Sequence, residues 1–289
     1  MGDLRKSAHA QAAQFERTEA LLGGAALEKL SKAHVVVFGV GGVGSHCVLA
    51  LARAGVGRLT LVDGDTVALS NINRQAIAFH STLGKCKVDV AADMVRDINP
   101  ACVVETHHLM VRAQDVESLM DKLAQPVDYV VDAIDSLQTK VALAVYAHDH
   151  VLPLITCAGT AGKLDAQAFC FADIYQTTEC PLCRRMRSAL RKAGVERLDV
   201  LYSTEKPHSR PNVERKEAAE GSAADSYMEA EEACTAAGKS HMGDAESCAD
   251  TRADSVQQVR PVLGTVSYVP SVAGLLLAGH VIKRLTGRL

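Results

Sequence analysis

Gly39, Gly41, Gly42 and Gly44 form a Gly-x-Gly-x-x-Gly run between the apolar stretch His34 to Phe38 and the residues Val48, Leu49, Leu51 and Ala52. Glycines so placed let a backbone close on a phosphate or a ribose, and the start of the helix behind them adds partial positive charge. Asp63 ends the next apolar run, which begins at Leu59, and Asp65 follows it. A carboxylate at the end of that second strand accepts hydrogen bonds from ribose hydroxyls. These residues by themselves indicate only a nucleotide. The dinucleotide of a dehydrogenase fits them, and so does a glycine turn with no ligand.

The following stretch narrows the chemistry. Asn71, Arg74 and Gln75 come just past the second strand, and Lys87 comes further on. The glycine loop already serves the two phosphates of a dinucleotide, so an added Arg and Lys suit a triphosphate that must leave as pyrophosphate. The plainer alternative is that Arg74 and Lys87 are surface charges. Asp132 and Asp135 close another apolar run, Tyr129 to Ala133. Carboxylates at the carboxyl end of a parallel strand face the ligand crevice. Asp135 is the candidate for holding Mg2+ against the phosphates, whereas Asp132 has an equal claim to a structural role.

Such residues need a scaffold that brings strand ends together. Apolar runs at His34–Phe38, Leu59–Asp63, Cys102–Thr106, Tyr129–Ala133 and Val151–Thr156 have strand length. Helical patterns alternate with them, at Leu83–Ile98 and Leu137–His148 among others, and Asn99-Pro100 stops the first. Runs apolar on both faces, alternating with helices, predict a doubly wound, mainly parallel α/β sheet of Rossmann type with helices on both faces. Gln14 to Leu30 reads as a helical arm. Beyond residue 160, Gln167–Asp173 and Leu198–Ser203 read as strands of a smaller accessory region, with the helix Pro181–Ala193 between them. The chain then resumes at Val266–Pro270 as a strand, followed by a helix from near Ser271.

Composition limits the function. The chain has 289 residues, 48% hydrophobic and 22% charged, with a net charge of −3. A pI near 6.4 excludes a surface basic all over, so nucleic acid would have to meet a local patch. Trp is absent and aromatics make up 4%, which disfavours base-stacking platforms. Nine cysteines and a polar start, Met1 to Lys6, point to free thiols in a reducing cytoplasm. The apolar stretch Val262–Val281 contains Pro270 and three glycines, so it reads as a buried helix and not as a membrane span. Residues 207–260 contain no Leu, Ile or Phe, and are expected to form a disordered acidic insertion. Arg184, Arg187 and Arg191 share one helical face, with Arg185 and Lys192 beside them; this stripe suits phosphate contacts to RNA, or is a solvated surface. Cys180-Pro181-Leu182-Cys183 is a single CxxC with no second pair to complete a four-ligand zinc site.

Gly39–Ser45, Val62–Asp65, Ser70–Gln75, Gly84–Lys87 and Asp132–Asp135 together resemble the ThiF/MoeB/E1 superfamily of adenylating enzymes. Asp132–Ser136, Thr156–Gly162 and Leu201–Glu205 resemble one branch of it, the tRNA threonylcarbamoyladenosine dehydratases. The resemblance implies an E1-like adenylation domain organised as an arm (1–33), an ATP-binding core (34–160), an accessory substrate region (161–206), the insertion (207–260) and a closing strand and helix (261–289). It implies that Gly42 and its neighbours line the ATP site and that Asp63 holds the ribose. Asn71, Arg74 and Lys87 would contact phosphates, Asp135 would bind Mg2+, and Arg17 would reach a triphosphate, often that of a partner subunit. The implied partners are a second copy of the chain and tRNA carrying the modified adenosine at position 37, with a sulfur-acceptor/cysteine desulfurase system as a further candidate partner. The implied reaction is carboxylate adenylation followed by ring closure. Its competitors are a MoeB- or ThiF-type adenylyltransferase acting on a sulfur-carrier protein, a non-catalytic nucleotide-binding scaffold and a dehydrogenase.

Overall fold

The computed structural model describes residues 13–123, 126–208 and 264–289. Two short helices come first, α1 (Glu16–Leu22) and α2 (Gly24–Lys32). The predicted continuous arm breaks at Gly23, whose φ of 83° lies in the left-handed region that glycine tolerates. The core then alternates β1 (His34–Phe38), α3 (Gly44–Arg53), β2 (Arg58–Val62), α4 (Lys87–Ile98), β3 (Val103–His107), α5 (Val116–Met120), β4 (Tyr129–Asp132), α6 (Leu137–Asp149) and β5 (Leu154–Cys157). It ends with β6 (Phe169–Asp173), α7 (Pro181–Lys192), β7 (Asp199–Ser203) and α8 (Tyr268–Leu285).

Among the described residues the strands join one seven-stranded sheet in the order β3-β2-β1-β4-β5-β7-β6. The pairings are parallel except for β6 with β7, which is antiparallel. The sheet is therefore mainly parallel and doubly wound. The order turns back between β1 and β4, where Phe38 pairs with Asp132. Connections leaving these two strands run to opposite faces, so a crevice opens beyond their carboxyl ends. Side chains alternate across the sheet accordingly. Val35 and Val37 join a core with Leu51, Val88, Ala273 and Leu277, while Val36 and Phe38 join a second core with Leu119, Leu143 and Met186.

Several boundaries differ from the sequence reading. The expected accessory region is not a separate layer, because β7 and β6 extend the main sheet beyond β5. The expected C-terminal strand is not present among the described residues 264–267, and α8 begins at Tyr268. Pro270 sits in its first turn, where no amide is needed for the helical ladder. α4 starts at Lys87 instead of Leu83, because Gly84 turns at φ 77° and Cys86 bridges back to Thr66. β5 starts at Leu154, because Val151 lies in an exposed turn with φ 53°. Apart from Pro207 and His208, the predicted insertion lies outside the described residues. Among the described residues no helix is long and apolar enough to cross a membrane.

α8 backs the glycine loop. A Cβ on Gly274 would fall on the carbonyl oxygen of Val43 and lie 2.9 Å from the Cβ of His46 and 3.0 Å from the amide nitrogen of Cys47. The two helices therefore meet backbone to backbone. Gly274→Ala is expected to cost about 1–3 kcal/mol through overpacking. Urea unfolding measures this, and a variant indistinguishable from the parent would contradict the packing.

Candidate active site

The glycine loop connects β1 to α3, and its tightness has a steric origin. A Cβ on Gly44 would coincide with the carbonyl oxygen of Gly39, and one on Gly39 (φ 85°) would lie 2.7 Å from the oxygen of Ala133. The loop is thus pressed between its own helix and the turn after β4. Asp63 locks it from the β2 side. Its Oδ2 accepts the amide of Val40 at 2.7 Å and its Oδ1 accepts the amide of Asp65 at 2.9 Å. Each oxygen keeps a lone pair, so a ribose hydroxyl can still be received.

The residues after β2 curl over this loop. A 3-10 turn at Leu69–Asn71 carries Asn71, which is buried and whose Oδ1 accepts the amide of Ala68 at 3.1 Å. The amides of Arg74 and Gln75 both donate to the carbonyl of Asn71 at 3.0 Å. This brings the aliphatic stem of Arg74 against Gly42, where an added Cβ would lie 3.4 Å from the Arg74 Cγ. The Arg74 guanidinium donates to the carbonyl of Ser70 at 2.9 Å and to the Asn73 Oδ1 at 3.0 Å. Gln75 is buried near Gly41, and its Oε1 has no hydrogen-bond partner. An orphaned acceptor beside a phosphate-type loop is consistent with a missing hydroxyl or amino group of a ligand.

Lys87 is not a surface charge. Its side chain is 6% exposed, and its Nζ donates to the Asp65 Oδ2 at 2.6 Å. Asp65 in turn is half exposed and tied to Asp63, so Val40, Asp63, Asp65 and Lys87 form one hydrogen-bonded chain around the loop. Asp135 is exposed beyond β4. An exposed carboxylate suits a hard cation that also takes phosphate oxygens.

Asp132 plays a different part. It is fully buried, accepting from Lys140 Nζ at 3.0 Å, from Thr156 Oγ1 at 3.0 Å and from the amide of Ile134 at 3.2 Å. Lys140 also donates to the carbonyl of Cys157 at 2.9 Å. The pair clamps the ends of β4 and β5 and shapes the turn that carries Asp135. It is a structural group and not a ligand-facing one. Sequence reasoning missed Lys140, although it lies on the apolar stripe of α6 with Leu143, Ala144 and Ala147. A lysine on a buried helix face is a signal, because burial requires a partner.

Arg17 is exposed on α1. Its neighbour Phe15 packs 3.5 Å from the Cβ position of Gly55, which precedes β2. Arg17 therefore belongs to the edge where strands begin, whereas the glycine loop lies at the edge where they end. The structure does not bring the two together within one chain.

The basic stripe on α7 also divides. Arg187 is half-buried and donates to the carbonyl of Thr177 at 2.9 Å and to the Thr177 hydroxyl, so it fastens the turn before the helix. Arg191 lies over the Tyr175 ring at 5.1 Å while remaining exposed. Arg184, Arg185 and Lys192 are exposed. The expected row of Arg184, Arg187 and Arg191 as one open surface is corrected by the loss of Arg187.

A doubly wound sheet with a glycine loop, acidic strand ends and cations gathered at its switch point defines a nucleotide-binding protein. A family model described as the ThiF family matches residues 15–288. The chain is 35% identical over 273 residues to the tRNA threonylcarbamoyladenosine dehydratase of Bacillus subtilis (strain 168), covering 94% of each. It is similar to the solved structure of the E. coli tRNA N6-threonylcarbamoyladenosine dehydratase, TcdA, in complex with ATP, with a TM-score of 0.73, 27% identity and coverage of 96% of this chain and 95% of that one. Its similarity to a Zea mays adenylyltransferase and sulfurtransferase MOCS3-1, 45% over 113 residues, spans 39% of this chain and 23% of that protein. The chain belongs to the ThiF family, in the branch of the tRNA threonylcarbamoyladenosine dehydratases.

Lys140→Met would leave Asp132 buried and unpaired, and is expected to lower stability by about 3–5 kcal/mol. Guanidinium unfolding checks this, and a loss under about 1 kcal/mol would mean that water reaches the site.

Proposed function

We infer that this chain is an ATP-dependent tRNA threonylcarbamoyladenosine dehydratase. It converts N6-threonylcarbamoyladenosine at tRNA position 37 to its cyclic form. The reading is supported by the near full-length similarity to dehydratases, by the ATP bound to the similar solved structure, and by the charged cradle at the β1/β4 switch point. The partial match to a sulfurtransferase gives less support to a sulfur-carrier substrate.

The threonyl carboxylate attacks the α-phosphorus of ATP, and the bond to the β-phosphate oxygen breaks. Negative charge moves onto the leaving pyrophosphate. The reading assigns that charge to Arg74, whose stem lies on Gly42, and to Lys87, which would exchange Asp65 for a phosphate oxygen. Once turned from these internal partners, cations held beside the loop stabilise the developing charge. Asp135 would hold Mg2+, and the ion would supply positive charge against the triphosphate. The carbamoyl group then attacks the activated carbonyl, AMP departs with the former carboxylate oxygen, and the ring closes. Because both groups sit on one substrate, proximity supplies up to about 7–11 kcal/mol of the acceleration. Asp63 holds the ribose, Asn71 and Gln75 complete the wall, and no protein nucleophile is required.

The remaining roles follow from placement. Arg17 lies where the strands of its own sheet begin, away from its own loop, and the reading assigns it to a partner's triphosphate in a homodimer. The exposed cations Arg184, Arg185, Arg191 and Lys192 contact tRNA phosphates. The cytoplasm holds the tRNA, and its reducing conditions suit the described cysteines, which are all free thiols.

Incubation with modified tRNA, ATP and Mg2+, followed by nucleoside mass spectrometry, is expected to show the loss of one water from the modified adenosine. An unchanged nucleoside, with pyrophosphate exchange stimulated by a carrier protein instead, would transfer the chain to the competing activity. Arg74→Ala is expected to lower kcat by about 10²–10³ while leaving the fold intact. Replacing Arg184, Arg185 and Arg191 together by Gln should make the slope of log K against log salt shallower by about 2–3. An unchanged slope would remove α7 from the tRNA surface.

A further inference from the structure

The adenylation chemistry leaves one built group unused. Cys180 is the N-cap of α7, Pro181 opens the helix, and Cys183 lies across its first turn. The Cys180 sulfur accepts the amide of Cys183 at 3.5 Å. Three-residue spacing across a first turn puts both sulfurs on one side of the helix start. The pair differs in access: Cys180 is 8% exposed and Cys183 is fully buried. It also differs in charge preference. The Cys183 thiol, the helix amides of Cys183 and Leu182 and the charge of Lys163 hold Cys180 towards the thiolate, against the cost of burial. Hydrogen bonding to Cys180 and burial keep Cys183 protonated, although Thr177 and Arg187 oppose them. The other fully enclosed thiols behave differently. Burial raises Cys47, and it raises Cys157 to about 12, so neither offers a thiolate.

We propose that Cys180 and Cys183 are a redox-active dithiol that a low-molecular-weight disulfide such as oxidised glutathione converts to an intramolecular bridge. Cys180, as thiolate, attacks one sulfur of the disulfide, and the other half leaves as a thiol after taking a proton. Cys183 then gives up its proton and attacks the Cys180 sulfur, expelling the second half. Two thiols of the protein are oxidised and one external disulfide is reduced to two thiols. Thiolate character and a nearby resolving thiol are the features that select such pairs. Among the described residues no group of three or more His, Cys, Asp or Glu is assembled to hold a metal, which leaves the pair without metal co-ligands there.

The test uses the folded full-length protein with no nucleotide or tRNA, so its outcome is independent of the dehydratase reading. The reduced protein is exposed to oxidised glutathione at neutral pH, denatured in N-ethylmaleimide and digested with trypsin. The peptide Leu164–Arg184 carries Cys170 as well as the pair. The expected product carries one maleimide, on Cys170, and has lost two hydrogens between Cys180 and Cys183. In Cys183→Ser, glutathione should remain attached to Cys180. In Cys180→Ser, Cys183 should take no glutathione and carry maleimide. Maleimide on all three cysteines of the parent peptide would overturn the proposal, whether because the pair is inert or because a metal ion caps it. Glutathione on Cys183 in preference to Cys180 would overturn it too. The parent measurement stands if either variant does not fold.

Discussion

The contact on which the rest of the site depends is the approach of Gly44 to the carbonyl of Gly39. No side chain fits between them, so the chain leaves β1 and enters α3 in the tightest available turn. Within that turn the amide of Ser45 donates to the carbonyl of Gly41 at 3.0 Å, which holds the loop onto the start of α3. The tight geometry also allows the turn after β4 to lie against Gly39 and α8 to lie against Val43. Asp63 adds polar closure by taking the amide of Val40. One steric fact therefore sets the distances among three strand ends and the C-terminal helix.

Two buried lysines show how the same charge serves different ends. Lys140 is enclosed and its contacts are all internal: a carboxylate that itself has two further donors, and a carbonyl. Such a group is costly to disturb and has no capacity left for a ligand. Lys87 is nearly as buried, but its partner Asp65 is half exposed. An ion pair with one half in water is easily opened, because solvent can take over the released carboxylate. Burial of the lysine thus distinguishes neither role. The exposure of the partner does.

Much of this was readable from residue order. The apolar runs were long enough for strands and apolar on both faces, so a covered parallel sheet followed, and the glycine spacing placed a tight loop at its first turn. The stretch from Asn71 to Gln75 marked itself by collecting polar groups just past a strand end. What misled the reading was local. Gln167–Asp173 and Leu198–Ser203 are strands in isolation, but their membership of the main sheet depends on which edge they pair with, and that edge belongs to β5, far away in sequence. Arg184, Arg187 and Arg191 share a helical face by spacing alone. Only the packing of α7 against the turn at Ile174–Thr177 turns Arg187 inward.

Residue types and their periodicity were enough to establish the architecture, the glycine loop between β1 and α3 and the acids and cations around it, because those signals arise within a few residues of one another. The fates of the individual charges were settled by folding. Asp132 became a clamp, Lys87 a half-paired cation, Arg17 a group at the opposite edge from its own loop, and Cys180 a capped thiol. Each outcome depends on partners brought together from distant parts of the chain, and desolvation by those partners determines whether a charge is used up internally or left available.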